Sequence, residues 1–228
     1  PAYLTVQIDG TPVDGLGVQL RENRWREGSH ADVSALEVLV QDHPFEGPSR
    51  LGRIVARLAE ASGRPADEVA REWFRRYAEI AVVPLLRLYA ELGLALRADQ
   101  LSTVLELEDG WPVRCVLRDA RSSVVGQAAH DDVAAGGDGL GEGPFLDNAL
   151  AVVNALGVAG AIEEIVLLGD LKALLVRERD DGAATLLDRL LSDATWPCRA
   201  KMRTRLHESD QFVQIPNPLH GVPDRPVT

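Results

Sequence analysis

The stretch LALRADQLSTVLELEDGWPVRCVLRD, residues 94–119, decides how this chain is read. Val104, Glu106 and Glu108 alternate with Leu105 and Leu107, the period-two pattern of a strand with one apolar face. EDGWP, residues 108–112, makes a turn, and Val113, Cys115 and Leu117 resume the alternation. The pattern predicts an antiparallel hairpin over about residues 102–118. Antiparallel pairing brings the open ends of a hairpin together, so residues 97–102 should lie beside residues 118–121. That gathers Arg97, Asp99, Ser102, Arg118, Asp119 and Arg121 in one place. Guanidinium groups suit the phosphates of a nucleotide, and carboxylates suit a magnesium ion. On spacing alone, an ion-pair network closing the end of a hairpin is the alternative.

Working outward, AYLTVQID near the start alternates Leu4, Val6 and Ile8 with polar neighbours and reads as a half-buried strand. GTPVD turns, and GLGVQLRE pairs back as a second strand. After a polar loop, Asp32 or Ser34 is placed to cap a short helix carrying Leu36, Val38 and Leu39. DHPFEGPS breaks the chain. Leu51, Ile54, Val55 and Leu58 then give a helical stripe that ends at Gly63. A second helix opens at Pro65 and Asp67 and buries Val69, Trp73, Tyr77, Ile80 and Ala81. Pro84 should kink or break it, because proline lacks the N–H and crowds the preceding turn. The run EIAVVPLLRLYAELGLAL is apolar on more than one side. It is either central in this chain's own core or covered by a second surface, through self-association or docking. Residues 126–144, rich in Gly and Asp, read as a mobile loop. Helices follow near 145–157, 159–178 and 182–193, and QFVQIPNPL closes as an extended piece. The expected organisation is one domain over residues 1–219 with a tail over 220–228.

Composition excludes several classes. The 228 residues are 46% hydrophobic, enough to bury a core. A net charge of −11 argues against nucleic acid or anionic membrane as a partner. No apolar run approaches the roughly 20 residues that span a bilayer. The start has neither a basic region nor a long apolar stretch, so it is not a secretory signal, and the expected compartment is the cytoplasm. The missing first Met suits a processed chain or a fragment. Cys115 and Cys198 are the two cysteines. They are too far apart in sequence for a CxxC site and read as reduced thiols. Phosphate-loop, dinucleotide, zincin and nucleophile-elbow motifs are absent. His30, His43, His130, His207 and His220 are scattered over loops and ends and read as surface histidines.

The segment WFRRYAEIAVVPLLRLYAELGLALRADQLSTVLELEDGWPVRCVLRD, residues 73–119, resembles the C-terminal half of the IucA/IucC siderophore synthetases, a region also described as FhuF-like. In that family a helix leads through a YGIALEAHxQN motif into a hairpin ending in RD. DHPFEGPSRLGRIVARL, residues 42–58, is similar to the family segment before that helix. WPCRAKMRTRLHESDQFVQIPNPL, residues 196–219, resembles the family's closing segment. The likeness covers most of residues 36–219.

The resemblance implies an α+β fold, mostly helical, with antiparallel hairpins packed against the helices. It implies siderophore biosynthesis by an ATP- and Mg2+-dependent ligase joining a carboxylate to an amine or hydroxyl. Asp119 matches the family's Asp and is implied on the metal or nucleotide side. Other positions depart: Arg97 stands where the family has Glu, Asp99 where it has His, Leu101 and Ser102 where it has Gln and Asn, and Arg199 where it has Lys. An Asp repels a phosphate that a His can hold. The family's N-terminal motifs, HPxHxxxK and SxRT, are also absent. The chain is therefore expected to be incompetent alone and to need an N-terminal synthetase half or a second copy. A siderophore- or partner-binding module is the alternative. A FhuF-like ferric-siderophore reductase is a further one, set back because two isolated cysteines cannot hold an iron–sulfur cluster.

Overall fold

The computed structural model describes residues 2–20, 32–92, 94–96, 98–118, 124–125, 143–178, 191–192, 194–199 and 212–223. The chain divides into two compact units, Pro1–Ala31 and Asp32–Thr228.

The first unit is a ribbon of β1 (Ala2–Ile8) and β2 (Thr11–Leu20), antiparallel, with an irregular register between Thr5 and Gln7. The reversal falls at Asp9 and Gly10, both at positive φ (49° and 77°), ahead of the GTPVD turn expected from sequence. Asp-Gly is among the dipeptides that tolerate two left-handed positions in a row. Within this unit Leu4 and Ile8 are exposed, against the half-buried strand expected from their spacing. A two-stranded ribbon has no layer of its own to bury them under.

The second unit is α+β, as expected. β3 (Asp32–Ala35), β5 (Thr103–Glu108) and β6 (Trp111–Leu117) form an antiparallel sheet in the order β3-β5-β6. Leu105 and Leu107 point from β5 into the core, as their alternation predicted. The ladder slips between Glu106 and Leu107, whose partners are Arg114 and Pro112. Val113 is the extra residue of this bulge and is exposed. Asp109 and Gly110 close the hairpin at φ 50° and 87°.

Helices cover the apolar face. They are α1 (Leu36–Val40), α2 (Arg50–Ser62), α3 (Ala66–Tyr77), α4 (Val83–Leu92), α5 (Gly143–Val158) and α6 (Glu164–Glu178). Ser49 caps α2 by accepting from the Gly52 N–H at 3.2 Å, and Gly63 ends it in the left-handed region. Asp32 and Ser34 do not cap a helix. They lie in β3 and hold Arg50, with Asp32 at 2.6 Å and Ser34 at 2.7 Å, because pairing with β5 draws this segment into the sheet.

The break expected at Pro84 takes a particular form. Residues Ala78–Val82 form a π-helical turn in which the Val83 N–H reaches the carbonyl of Ala78, five residues back. Widening the turn makes room for a proline ring that would crowd an ordinary helix. The result is one long rod, α3 through α4. Trp73, Phe74, Tyr77, Val82 and Leu86 are buried along it within this chain's own core. The Trp73 indole N–H donates to the carbonyl of Gly110 at 3.0 Å, which ties the rod to the hairpin tip. Arg76 stacks on Trp111 with its guanidinium carbon 4.3 Å from the ring centroid.

Two short pairs complete the unit: β4 (Leu94–Ala95) with β7 (Val124–Val125), and β8 (Thr195–Arg199) with β9 (Phe212–Pro216). The helix expected over 159–178 begins at Glu164 after a turn that contains Gly160 at φ 65°. The loop expected near 126–144 and the helix near 182–193 fall almost wholly outside the described residues. None of the described helices is long and apolar enough to cross a membrane.

Candidate functional site

In sequence, the hairpin β5–β6 is flanked by the strands of the pair β4–β7. Thr103 faces Leu117 at one end, and Ala95 faces Val124 at the other. Two connections run between these ladders, one over residues 96–102 and one over 118–123. Of the six residues singled out from sequence, the described ones, Asp99, Ser102 and Arg118, lie here. The β4–β7 pair was not foreseen, since strands of two residues leave no periodic signal.

The first connection ends in a tight turn. The Asp99 carboxylate accepts from the Ser102 N–H at 2.8 Å and from its hydroxyl at 2.7 Å. The Thr103 N–H donates to the Asp99 carbonyl at 2.9 Å. This is an Asp-anchored turn of the kind that competes well with regular structure. The Arg118 N–H then donates to the Ser102 carbonyl at 2.9 Å, so Arg118 and Ser102 close the mouth of the hairpin together. From the helical layer, the Glu37 N–H of α1 donates to the Gln100 carbonyl at 3.2 Å. Asn148 of α5 donates its amide to the Ala98 carbonyl at 2.7 Å and to the Thr103 hydroxyl at 3.1 Å.

Among the predicted residues, the structure brings Asp99, Ser102 and Arg118 together. Asp99 is half-buried, Ser102 is nearly buried and Arg118 is exposed. Arg97, Asp119 and Arg121 lie outside the described residues. Leu101, where the family has an amide, is 65% exposed at the tip of the turn. One carboxylate oxygen of Asp99 is already taken by two donors of Ser102, so Asp99 acts first on the shape of the turn. No group of three or more potential ligands that could hold a metal occurs among the described residues.

Glu178 of α6, 2% exposed, accepts from Arg87 at 3.0 Å and from Arg177, which also reaches Glu79. Burial alone would raise its carboxyl, but the hydrogen bonds from the two guanidinium groups outweigh it and hold the carboxyl below its ordinary value. Arg71 of α3 pairs with Asp170 of α6 at 2.5 Å, across a groove of about 460 Å3 that carries Arg and acidic side chains together. Cys115 is half-buried against the core, and burial pushes its thiol up to about 11, so it is not a thiolate nucleophile at neutral pH. His43 folds back on its own loop and accepts from the N–H groups of Phe45 and Glu46. His220 is exposed, whereas His30, His130 and His207 lie outside the described residues.

Asn148 was missed at the level of sequence, although a signal existed. It shares a stripe with Val152, Ala155 and Leu156 on α5, and all four are buried. A polar amide on an otherwise apolar helical stripe must find buried partners. Here the partners are the two ends of the site turn.

The comparisons bear on family and fold. Residues 71–212 match the family described as "Ferric iron reductase FhuF-like transporter". The chain is 34% identical to a rhizobactin siderophore biosynthesis protein of Rhizobium meliloti (strain 1021), over 96% of this chain and 42% of that protein. It is 30% identical to a spermidine-citrate ligase of Bacillus anthracis, over 96% of this chain and 41% of the ligase. The chain thus spans well under half the length of these curated relatives. Among solved structures, ATP-bound aerobactin synthetase IucA from a hypervirulent pathotype of Klebsiella pneumoniae superposes with a TM-score of 0.76. The identity is 26%, and the match covers 92% of this chain and 41% of that one. The chain belongs to the FhuF-like family and corresponds to the C-terminal part of the IucA/IucC-type siderophore synthetases.

Proposed function

We propose that this chain forms the nucleotide-side wall of an ATP-dependent ligase of siderophore biosynthesis. The reaction is activation of a carboxylate such as citrate, followed by attack of an amine or hydroxyl. In the first step a carboxylate oxygen bonds to the α-phosphorus of ATP and pyrophosphate leaves. In the second, the nucleophile bonds to the acyl carbon, AMP leaves and the nucleophile's proton is lost. Arg118 and Arg121 hold phosphate oxygens, and Asp119 holds magnesium. Arg97, Asp99 and Ser102 line the opposite side of the mouth. Magnesium, when bound, offsets phosphate charge.

The observation that carries this reading is the bracketing of the two connections by the β4–β7 and β5–β6 ladders. It sets Ser102 beside Arg118 at the mouth of the hairpin, in a fold like that of an ATP-bound synthetase. The rest of the reaction is assigned to the length that the relatives carry beyond this chain, met as an N-terminal synthetase part or through a second copy. The setting is the cytoplasm, where ATP is available.

A second reading, a siderophore- or partner-binding module without catalysis, is favoured by one feature: one oxygen of the Asp99 carboxylate is engaged by both donors of Ser102. Isothermal titration with Mg–ATP separates the two. Saturable binding that Asp119→Ala abolishes supports the ligase wall. Absence of binding at millimolar nucleotide supports the module.

A further inference from the structure

We propose that Asn148 is a positioning residue for the nucleotide site, an inference that rests on the reading above. The bonds inside the turn fix its shape: Asp99 to Ser102, and Thr103 back to Asp99. They do not fix where the turn sits on the helical layer. Asn148 does. Its single NH2 group takes the Ala98 carbonyl, just before Asp99, and the Thr103 hydroxyl, just after Ser102. One group on α5 therefore holds both ends of the turn.

The amide orientation follows from chemistry. A backbone carbonyl can only accept, so the side of Asn148 at 2.7 Å from the Ala98 carbonyl oxygen must be the NH2. The whole link is buried: Ala98 is 0%, Asn148 2% and Thr103 2% exposed. Water is therefore not at hand to replace a lost donor, and unpaired polar groups would remain on both ends of the turn. The other end of the lever is rigid. On α5, Leu146, Val152, Val153 and Leu156 lie in the same core as Leu105 and Leu107 of β5. The position of the helix is thus carried to the 98–103 turn, and through the Arg118–Ser102 bond to the connection that bears Arg118. Asn148 acts through the turn and has no assigned contact with the ligand.

The test compares the unmodified chain with Asn148→Leu, close in size but without the amide, and with Thr103→Val, which removes one acceptor. Mg–ATP affinity, melting temperature and hydrogen exchange of the amides over 99–103 are measured on each. The expected result is about tenfold weaker Mg–ATP binding for Asn148→Leu and a smaller loss for Thr103→Val, with faster exchange confined to the turn. A purely structural role would lower the melting temperature and leave the affinity of the folded fraction unchanged, which overturns the proposal while the nucleotide reading stands. Absence of Mg–ATP binding by the unmodified chain overturns both. If Asn148→Leu does not fold, Thr103→Val decides: unchanged affinity and unchanged exchange over 99–103 reject the proposal.

Discussion

The carboxylate of Asp99 takes both donors of Ser102, the backbone N–H at 2.8 Å and the hydroxyl at 2.7 Å. Asp99 is thus the anchor of the turn. Asp99→Ala removes the acceptor from two nearly buried donors and should cost about 1–2 kcal/mol in chemical denaturation. Asp99→Asn keeps an acceptor oxygen in the same place and should cost little. If Asp99→Asn were as damaging as Asp99→Ala, the charge and not the turn would be what the position supplies.

The hairpin tip gives a second test. Gly110 sits at φ 87°, and a Cβ there would come within 3.3 Å of Ile54 and 3.4 Å of Leu58. Gly110→Ala combines a disfavoured backbone with overpacking against the middle of α2, and should destabilise by about 1–3 kcal/mol. Thermal unfolding reads this directly, and a neutral outcome would place the tip in another turn type.

Acid sensitivity follows from Glu178. Its folded carboxyl is held below its ordinary value, so its contribution is fully present above about pH 4.3 and is lost as pH falls through the lowered folded value. Glu178→Gln should lower the melting temperature at pH 7 and flatten the decline on the acid side. Parallel curves for the two proteins from pH 7 to 3 would show that the pair with Arg87 and Arg177 contributes nothing.

Much of this was legible before the structure. The β5–β6 hairpin, α2 and α3 follow from periodicity, because Leu105 and Leu107, or Leu51, Ile54 and Val55, bury one face each. What was not legible depends on partners distant in sequence. Asp32 and Ser34 look like helix caps until β3 pairs with β5 and Arg50 reaches them. Leu4 and Ile8 alternate like a buried face, but their ribbon gives them no layer. Of the candidate site, the meeting of Ser102 and Arg118 was legible from antiparallel geometry, while the β4–β7 pair and the hold of Asn148 on the turn carried no local signal.

Catalysis is expected to be absent from the chain by itself. A hydroxamate-trapping assay with citrate, a diamine and Mg–ATP should stay at the no-enzyme rate. Each missing positioned donor is typically worth about 100-fold or more in rate, and Asp99 and Leu101 replace two of those in the family motif. Turnover above background would show that the substituted turn still works.

The central claim is that nucleotide binds at the open end of the hairpin. Amide chemical-shift mapping with Mg–ATP tests it most directly. The account predicts saturable shifts at Ser102, Thr103 and Arg118, with the amides lining the groove between α3 and α6 unmoved. Shifts that map to that groove, or none at all at millimolar Mg–ATP, would contradict it.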